Sequence, residues 1–551
     1  MQTTGVQERR ARGKTMIWTD QLSVTFGSRT LFDHVNIKFT PGNAYGLIGA
    51  NGAGKSTFLK CLSGELDASS GSVNMPPGLR LSTLGQDHFK YNDIKVLDTV
   101  VQGHERLWNI GQEKDAIYAK PDFNDEDGIR AAELETEFAD LDGWEAEAQA
   151  SQLLEALNIR TADHQKLVGE LTDNQKVRVL LAQALFGDPD VLLLDEPTNH
   201  LDVDSILWLE DFLLNFKNTV IVVSHDRHFL DKVCTHIADV DFQKVSLFTG
   251  NYTFWYETSQ MALHQRSSAN KKKEDKMKEL KAFITRFSAN ASKSKQATSR
   301  KALLDKITLD DIKPSSRKYP YIVFKPEREL GRDVLFVENI TKSVNGQVVI
   351  KDLHFTMQKG ERVALMGPSH ILSAFMNMLS GIDTPDKGEI RWGHSANHGY
   401  MPKDHESFFD TDKDLVNWLR QYSHNQDESF VRGFLGRMLF TGDEVKKSAS
   451  VLSGGEKMRC MFSRIMLRDP NFIILDNPTD HLDLESITAL NKALDEFSGS
   501  MVFASDDTEL VASLSTRILE LNGDSWHDLQ IPFEEYLKDE ARLQRAGRLA
   551  A

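Results

Sequence analysis

Residues 44–64 read AYGLIGANGAGKSTFLKCLSG, and inside them Gly49-Ala50-Asn51-Gly52-Ala53-Gly54-Lys55-Ser56 fits the spacing GxxxxGK[ST]. An apolar run precedes the glycines and a helical pattern follows them, so the stretch reads as strand, loop, helix. Glycines at this spacing let successive backbone N–H groups curl around phosphate oxygens at a helix N-terminus. Lys55 brings a compact positive charge to the β- and γ-phosphates, and Ser56 offers a hydroxyl to Mg²⁺. Gly49, Asn51, Gly52, Gly54, Lys55, Ser56 and Thr57 together form a candidate cradle for ATP.

Further along, residues 191–206 read VLLLDEPTNHLDVDSI, a buried strand ending in two carboxylates. Asp195 is placed to hold Mg²⁺ through water. Glu196 is placed to activate the attacking water as general base, a role worth roughly 10²–10⁴ in rate. His225 follows a second apolar strand, 220–223, and can stabilise charge developing on the γ-phosphate. Gln86 is a candidate to sense both Mg²⁺ and the attacking water. Phe26 is a candidate to stack on adenine, although a lone phenylalanine equally suits a core.

These segments recur. Residues 363–381 read VALMGPSHILSAFMNMLSG and 472–487 read FIILDNPTDHLDLESI. Asp195 to His225 is 30 positions, as is Asp476 to Asp506; Leu171 to Asp195 is 24, as is Leu452 to Asp476. Spacings that match over such distances mean a duplicated domain. Alternating short strands and helices predict α/β domains with mainly parallel sheets. The copies are expected at 16–257 and 333–540, with a tail at 1–15 and another at 541–551. The first copy is about 36 residues longer between its glutamine and its Leu171. The acidic, helix-spaced stretch 104–150 accounts for the excess as a helical arm.

The net charge is −16, yet residues 261–318 hold 16 Lys/Arg against 6 Asp/Glu. An acidic body with one strongly basic segment points to a local anionic partner. Residues 258–332 read as a basic helical linker, with two helical runs around a polar stretch at 288–299. Arg286, Lys293, Lys295, Arg300 and Lys301 are its candidate RNA contacts. No run of about 18 apolar residues predicts a membrane span. The basic start lacks the apolar core of a secretory signal. Cys61, Cys234 and Cys460 are too scattered for a disulfide or zinc framework, which fits a reducing, cytoplasmic setting.

With Leu452-Ser453-Gly454-Gly455-Glu456 added, the P-loop, the DEPTNHLD stretch and the SHD triplet resemble the ATP-binding-cassette (ABC) superfamily. Two cassettes on one chain, an arm in the first and a basic helical linker resemble the ABC-F translation factors. The linker RFSANASKSKQATSR (286–300) and SHDRHFL (224–230) are most similar to the housekeeping bacterial YbiT type. The resemblance implies two tandem P-loop NTPase (ABC) domains, each with a helical subdomain, joined by an α-helical hairpin. It implies ATP and Mg²⁺ as cofactors. It also implies an intramolecular head-to-tail pair of cassettes in a monomeric chain, bound at the ribosomal E site with the linker facing rRNA and the P-site tRNA. In that arrangement Ser453, Gly454, Gly455 and Glu456 cap the γ-phosphate of ATP held on the opposite cassette. Two alternatives are the ATPase subunit of an ABC system with separate partners, and an ABC-F antibiotic-resistance protein that protects the ribosome.

The second copy departs from the family pattern repeatedly. Gly367-Pro-Ser-His-Ile-Leu-Ser-Ala374 has neither lysine nor interior glycine, and Val344, Lys403, Asn477 and Asp506 replace phenylalanine, glutamine, glutamate and histidine. The first copy departs once, with Leu171-Thr172-Asp173-Asn174-Gln175 in place of the signature. Under head-to-tail pairing every loss falls on one composite site and none on the other. The expectation is one hydrolysing site and one that binds no Mg·ATP, with a variant in which Lys403 pairs with Asp476 or Asp506.

Overall fold

The computed structural model describes residues 17–27, 29–84, 90–199, 201–287, 299, 317–344, 346–523 and 525–539. Gln86, Lys293, Lys295, Arg300, Lys301, both tails and the Arg286 side chain lie outside the described residues. The chain divides into two compact units, 1–197 with 208–316, and 198–207 with 317–551.

In the first unit the two apolar runs are strands Val191–Asp195 and Thr219–Val223, paired in parallel from Val191↔Thr219 to Asp195↔Val223. Both are buried on both faces, which is why they read as unbroken apolar runs. They sit in a six-stranded sheet ordered Lys244–Thr249, His236–Asp241, Ala44–Ile48, Thr219–Val223, Val191–Asp195, Leu81–Thr83. The strand Ala44–Ile48, which feeds the glycine loop, is therefore central. Its carboxyl end and those of Val191–Asp195 and Thr219–Val223 face the same side, where open α/β sheets bind ligands. A smaller antiparallel sheet built on Ile17–Phe26 packs over it, and Phe32, Phe39 and Phe58 fill the space between.

The second unit repeats the plan. Its six-stranded sheet runs His398–Met401, Phe472–Asp476, Ser500–Ala504, Arg362–Met366, Arg517–Asn522, Ser525–Leu529. An antiparallel sheet of Asp333–Val344, Gln347–Gln358 and Lys387–Trp392 accompanies it.

In the stretch 104–150, helices Glu105–Tyr118 and Asp125–Asp140 bury Ile110, Ile117, Ala131 and Leu134 against each other. Asn124 and Asp127 close a reciprocal capping box at the second helix. Lys114 is buried with its ammonium 4.1 Å from the Phe138 ring centre and 4.3 Å from that of Trp144.

The first linker run begins earlier than the sequence suggests. One helix spans Tyr252–Phe287, 36 residues, about 54 Å at 1.5 Å per residue. Asn251 Oδ1 accepts from the Phe254 N–H and Asp231 Oδ1 from the Thr253 N–H. Tyr252 and Trp255 are buried. The helix is thus nucleated inside the first unit and runs without a break through residue 258. Lys271, Lys272, Lys276, Lys278 and Lys281 are exposed along it.

Candidate ATP site

Gly52 and Gly54 have φ of 76° and 107°, left-handed values that side chains rarely adopt. A Cβ at Gly49 would stand 2.6 Å from the Val240 carbonyl oxygen. The loop therefore needs its glycines twice, for its turn and for its seat on the sheet. Helix Lys55–Ser63 starts at Gly54 with no side-chain cap, so its first amides face the loop interior. Lys55 is buried and donates to the Gly49 carbonyl at 2.8 Å, which bends the ammonium back over the cradle. Ser56 and Thr57 are half-buried beside it, and Asn51 is exposed at the loop tip.

Phe26 ends its strand with half its surface exposed, and its cross-strand partner is Arg29. The Arg29 guanidinium donates to the Gly52 carbonyl at 2.7 Å. This places Phe26 beside the cradle, free to stack. Arg29 was not among the residues read from the sequence; a lone arginine on a hairpin carries no motif.

Asp195 ends its strand, and Glu196 follows in a left-handed conformation, φ 51°, held by its N–H to the Val223 carbonyl at 2.8 Å. That turn sends the Glu196 side chain toward the next strand end. There Oε2 accepts from the His225 N–H at 3.1 Å, and the imidazole Nε2 lies 3.4 Å from Oε1. Glu196 Oε1 and His225 Nδ1 are buried with no hydrogen-bond partner among the described residues. Burial pushes the Glu196 carboxyl up to about 7, with the His225 N–H and Lys55 opposing and Asp195 adding to the rise. Burial and then Lys55 push His225 down to about 3, so its ring is neutral. A base near neutrality next to a neutral imidazole suits proton abstraction from water. The uncapped cradle, the buried lysine and the unsatisfied carboxylate oxygen fit a Mg²⁺-bound triphosphate. Ser56 and Asp195 would hold the ion, which would neutralise phosphate charge.

The ABC transporter family pattern matches residues 32–199 and 350–480, and an associated ABC transporter extension matches 238–324. The chain is 58% identical to the ABC transporter ATP-binding protein YkpA of Bacillus subtilis over 95% of this chain and 98% of that protein. It is 45% identical to the probable ATP-binding protein YbiT of Escherichia coli O157:H7, over 95% and 99%. Its fold is shared with an archaeal ribosome recycling factor, aABCE1, solved with a ribosomal stalk protein. The TM-score is 0.62 at 17% identity, covering 96% of this chain and 92% of that one. The chain belongs to the ABC family and is of the ABC-F type.

This ABC-F protein is an ATP hydrolase, and its second cassette lacks the cradle. Helix Ser369–Leu379 begins directly after Pro368, two residues past Gly367. Its first cassette begins the equivalent helix six residues past Gly49. Ser373 Oγ donates to Asp476 Oδ2 at 2.6 Å, so the counterparts of Ser56 and Asp195 are bonded to each other. Asn477 keeps the left-handed turn of Glu196, φ 48°, but donates through Nδ2 to Asp506 Oδ2 at 2.7 Å. Lys403 Nζ donates to Ser369 Oγ at 3.0 Å. Burial raises the Asp476 pKa; Ser373 and Lys403 oppose the rise, Lys403 through its charge and backbone N–H.

On the second unit, Ser453 and Glu456 form a reciprocal capping box at helix Gly454–Met466. A Cβ on Gly454 would stand 3.0 Å from the His481 ring, and one on Gly455 would stand 2.9 Å from the His481 carbonyl oxygen. The first cassette keeps the box, Thr172 with Gln175, but not the glycines. There Asp173 pairs with Lys176 at 3.3 Å, so its charge is partly offset locally.

Proposed function

We propose that this protein is a ribosome-associated ATPase that acts as a translation factor, with hydrolysis at one composite site. Lys55, Ser56, Asp195, Glu196 and His225 serve that site from the first cassette, and Ser453–Glu456 from the second. The observation that carries the single-site reading is the contrast between matching strand ends. Glu196 keeps a buried, unsatisfied oxygen beside a neutral His225, whereas Asn477 and Asp506 satisfy each other. ATP closes the two cassettes head to tail and fixes the linker. Glu196 takes a proton from the attacking water, His225 steadies the γ-phosphate, and the spent clamp reopens. At the ribosomal E site the linker lysines and arginines, Arg286, Lys293, Lys295, Arg300 and Lys301 among them, meet rRNA and P-site tRNA phosphates. The exposed lysines of helix Tyr252–Phe287 support this, because an acidic protein needs such a concentrated basic element to hold RNA.

The test is co-sedimentation of Glu196→Gln protein with bacterial ribosomes through a sucrose cushion. Pelleting in ATP but not ADP, weakening steeply with salt, is the expected result. Protein that binds ATP yet stays in the supernatant in both nucleotides removes the ribosome from the proposal.

A further inference from the structure

Glu210 lies on helix Val203–Leu214, with 0% of its surface exposed. A carboxylate buried so completely is costly unless it is paired. Here it is paired twice, with His228 Nδ1 at 3.0 Å and Lys232 Nζ at 2.8 Å, both on helix Arg227–Val233. The bond to Glu210 raises the His228 pKa; desolvation and Lys232 oppose it, and Asp226 adds to the rise. Helix Arg227–Val233 follows His225 directly. Asp226 caps it by accepting from the Phe229 N–H, and the neighbouring His225 N–H holds the Glu196 carboxylate.

The duplication supplies an internal control. Strands, helices and caps in this region match between the copies at a constant offset of 281 positions, as in Val191–Asp195 with Phe472–Asp476 and Arg227–Val233 with Thr508–Leu514. At that offset Glu210, His228 and Lys232 correspond to Asn491, Glu509 and Ser513. In the second copy Ser513 Oγ donates to Asn491 Oδ1 at 3.1 Å, and Asp507 caps its helix just as Asp226 does. A neutral pair thus joins the same two helices, so the fold does not require the buried charge. Only the copy that retains Glu196 and His225 carries it.

We infer that Glu210, through His228 and Lys232, is a positioning residue for hydrolysis: it fixes the helix whose leading segment sets His225 against Glu196. This rests on the reading of Glu196 as the base. Small displacements of a catalytic pair are costly, up to about 100-fold for 1 Å. The geometry is needed for the chemical step and not for holding ATP, so the effect belongs in kcat.

The experiment transplants the second copy's set into the first, as Glu210→Asn with His228→Glu and Lys232→Ser. A parallel variant, Glu210→Gln with Lys232→Met, neutralises the cluster at similar volume. Each is assayed for ATP hydrolysis, with thermal unfolding and ATP-binding stoichiometry as measures of the folded fraction. A fall in kcat of about tenfold or more, with KM for ATP within about twofold and full ATP-binding capacity, is the expected result. Wild-type kcat in either folded variant overturns the inference, as does a loss no greater than the loss of binding-competent protein. Glu196→Gln runs alongside. If it hydrolyses ATP like wild type, the base assignment itself fails; if it is inactive while the transplant is fully active, only the positioning role fails.

Discussion

Glu196→Gln protein saturated with Mg·ATP should hold one nucleotide per chain. The magnitude follows from the second cassette. Measured back from the glycine that ends each helix, Ser369 starts its helix three residues earlier than Lys55 does, between Ser369 and Gly381 against Lys55 and Gly64. At 1.5 Å per residue that carries helical backbone about 4.5 Å further toward the phosphate position. Pro368 has no N–H to offer, no lysine corresponds to Lys55, and Ser373 is already committed to Asp476. Three charge-assisted contacts at about 1.5–3 kcal/mol each are thereby absent. Their sum, at least about 4.5 kcal/mol, weakens binding by more than about 1,000-fold. If the intact site binds in the micromolar range, a site of that quality has a Kd of about millimolar or weaker, so it stays essentially empty at the roughly tens of micromolar ATP that fill the intact site. The assay is equilibrium dialysis or native mass spectrometry of the Glu196→Gln chain, with Glu196→Gln/Lys55→Ala as the partner variant. One ATP in the first and none in the second is expected. Two per chain, or one that survives loss of Lys55, refutes the reasoning.

Three further outcomes follow from the same geometry. Because Glu196 must be ionised to accept a proton and its carboxyl is raised to about 7, kcat/KM should fall as pH drops through about 7. His225, pushed down to about 3, should add no second limb between pH 5 and 9; a profile flat to pH 5.5 contradicts this. Replacing Lys114 with alanine removes an ammonium between two rings and should cost the arm about 1–2 kcal/mol. It should read as faster amide exchange in Glu105–Tyr118 and Asp125–Asp140 with unchanged ATPase activity. Restoring glycines to the first cassette's signature, Asp173→Gly with Asn174→Gly, should leave the nucleotide count at one, since the second cassette still has no cradle; a count of two would show that the signature, not the loop, is what excludes ATP.

What the sequence disclosed was whatever short-range chemistry imposes. A strand, a glycine loop and a lysine must be contiguous to wrap phosphate, so residues 44–64 were legible in one pass. The paired strands were legible because burial on both faces leaves only apolar residues. Glu210 was not legible. It precedes Asp211 on a helix and looks like ordinary surface charge, and its partners lie 18 and 22 positions away on another helix. Arg29 escaped for the same reason, since its target is a carbonyl and carbonyls have no sequence. The linker was expected from residue 258, whereas its helix begins six residues earlier at Tyr252, where Asn251 and Asp231 accept from its first N–H groups, contacts that no local sequence pattern announces.

The second cassette keeps the frame of the first while its side chains take different partners. Asn477 keeps the left-handed turn of Glu196, its N–H still reaches the neighbouring strand at Ala504, and Asp507 still caps the following helix. What changed is the partnership of each side chain. The oxygen left open at Glu196 is replaced by an amide that donates to Asp506. The counterparts of Ser56 and Asp195, Ser373 and Asp476, are bonded to each other. A buried polar group without a partner costs about 1–3 kcal/mol, and such a cost persists where a substrate is there to relieve it. The paired Ser373–Asp476 and Asn477–Asp506, set against an unsatisfied carboxylate oxygen at Glu196, support the proposal that the first site is the one a ligand completes. Converting Asn477 to glutamate should, on this argument, destabilise the second cassette by setting two carboxylates face to face, and should not create a second hydrolytic site.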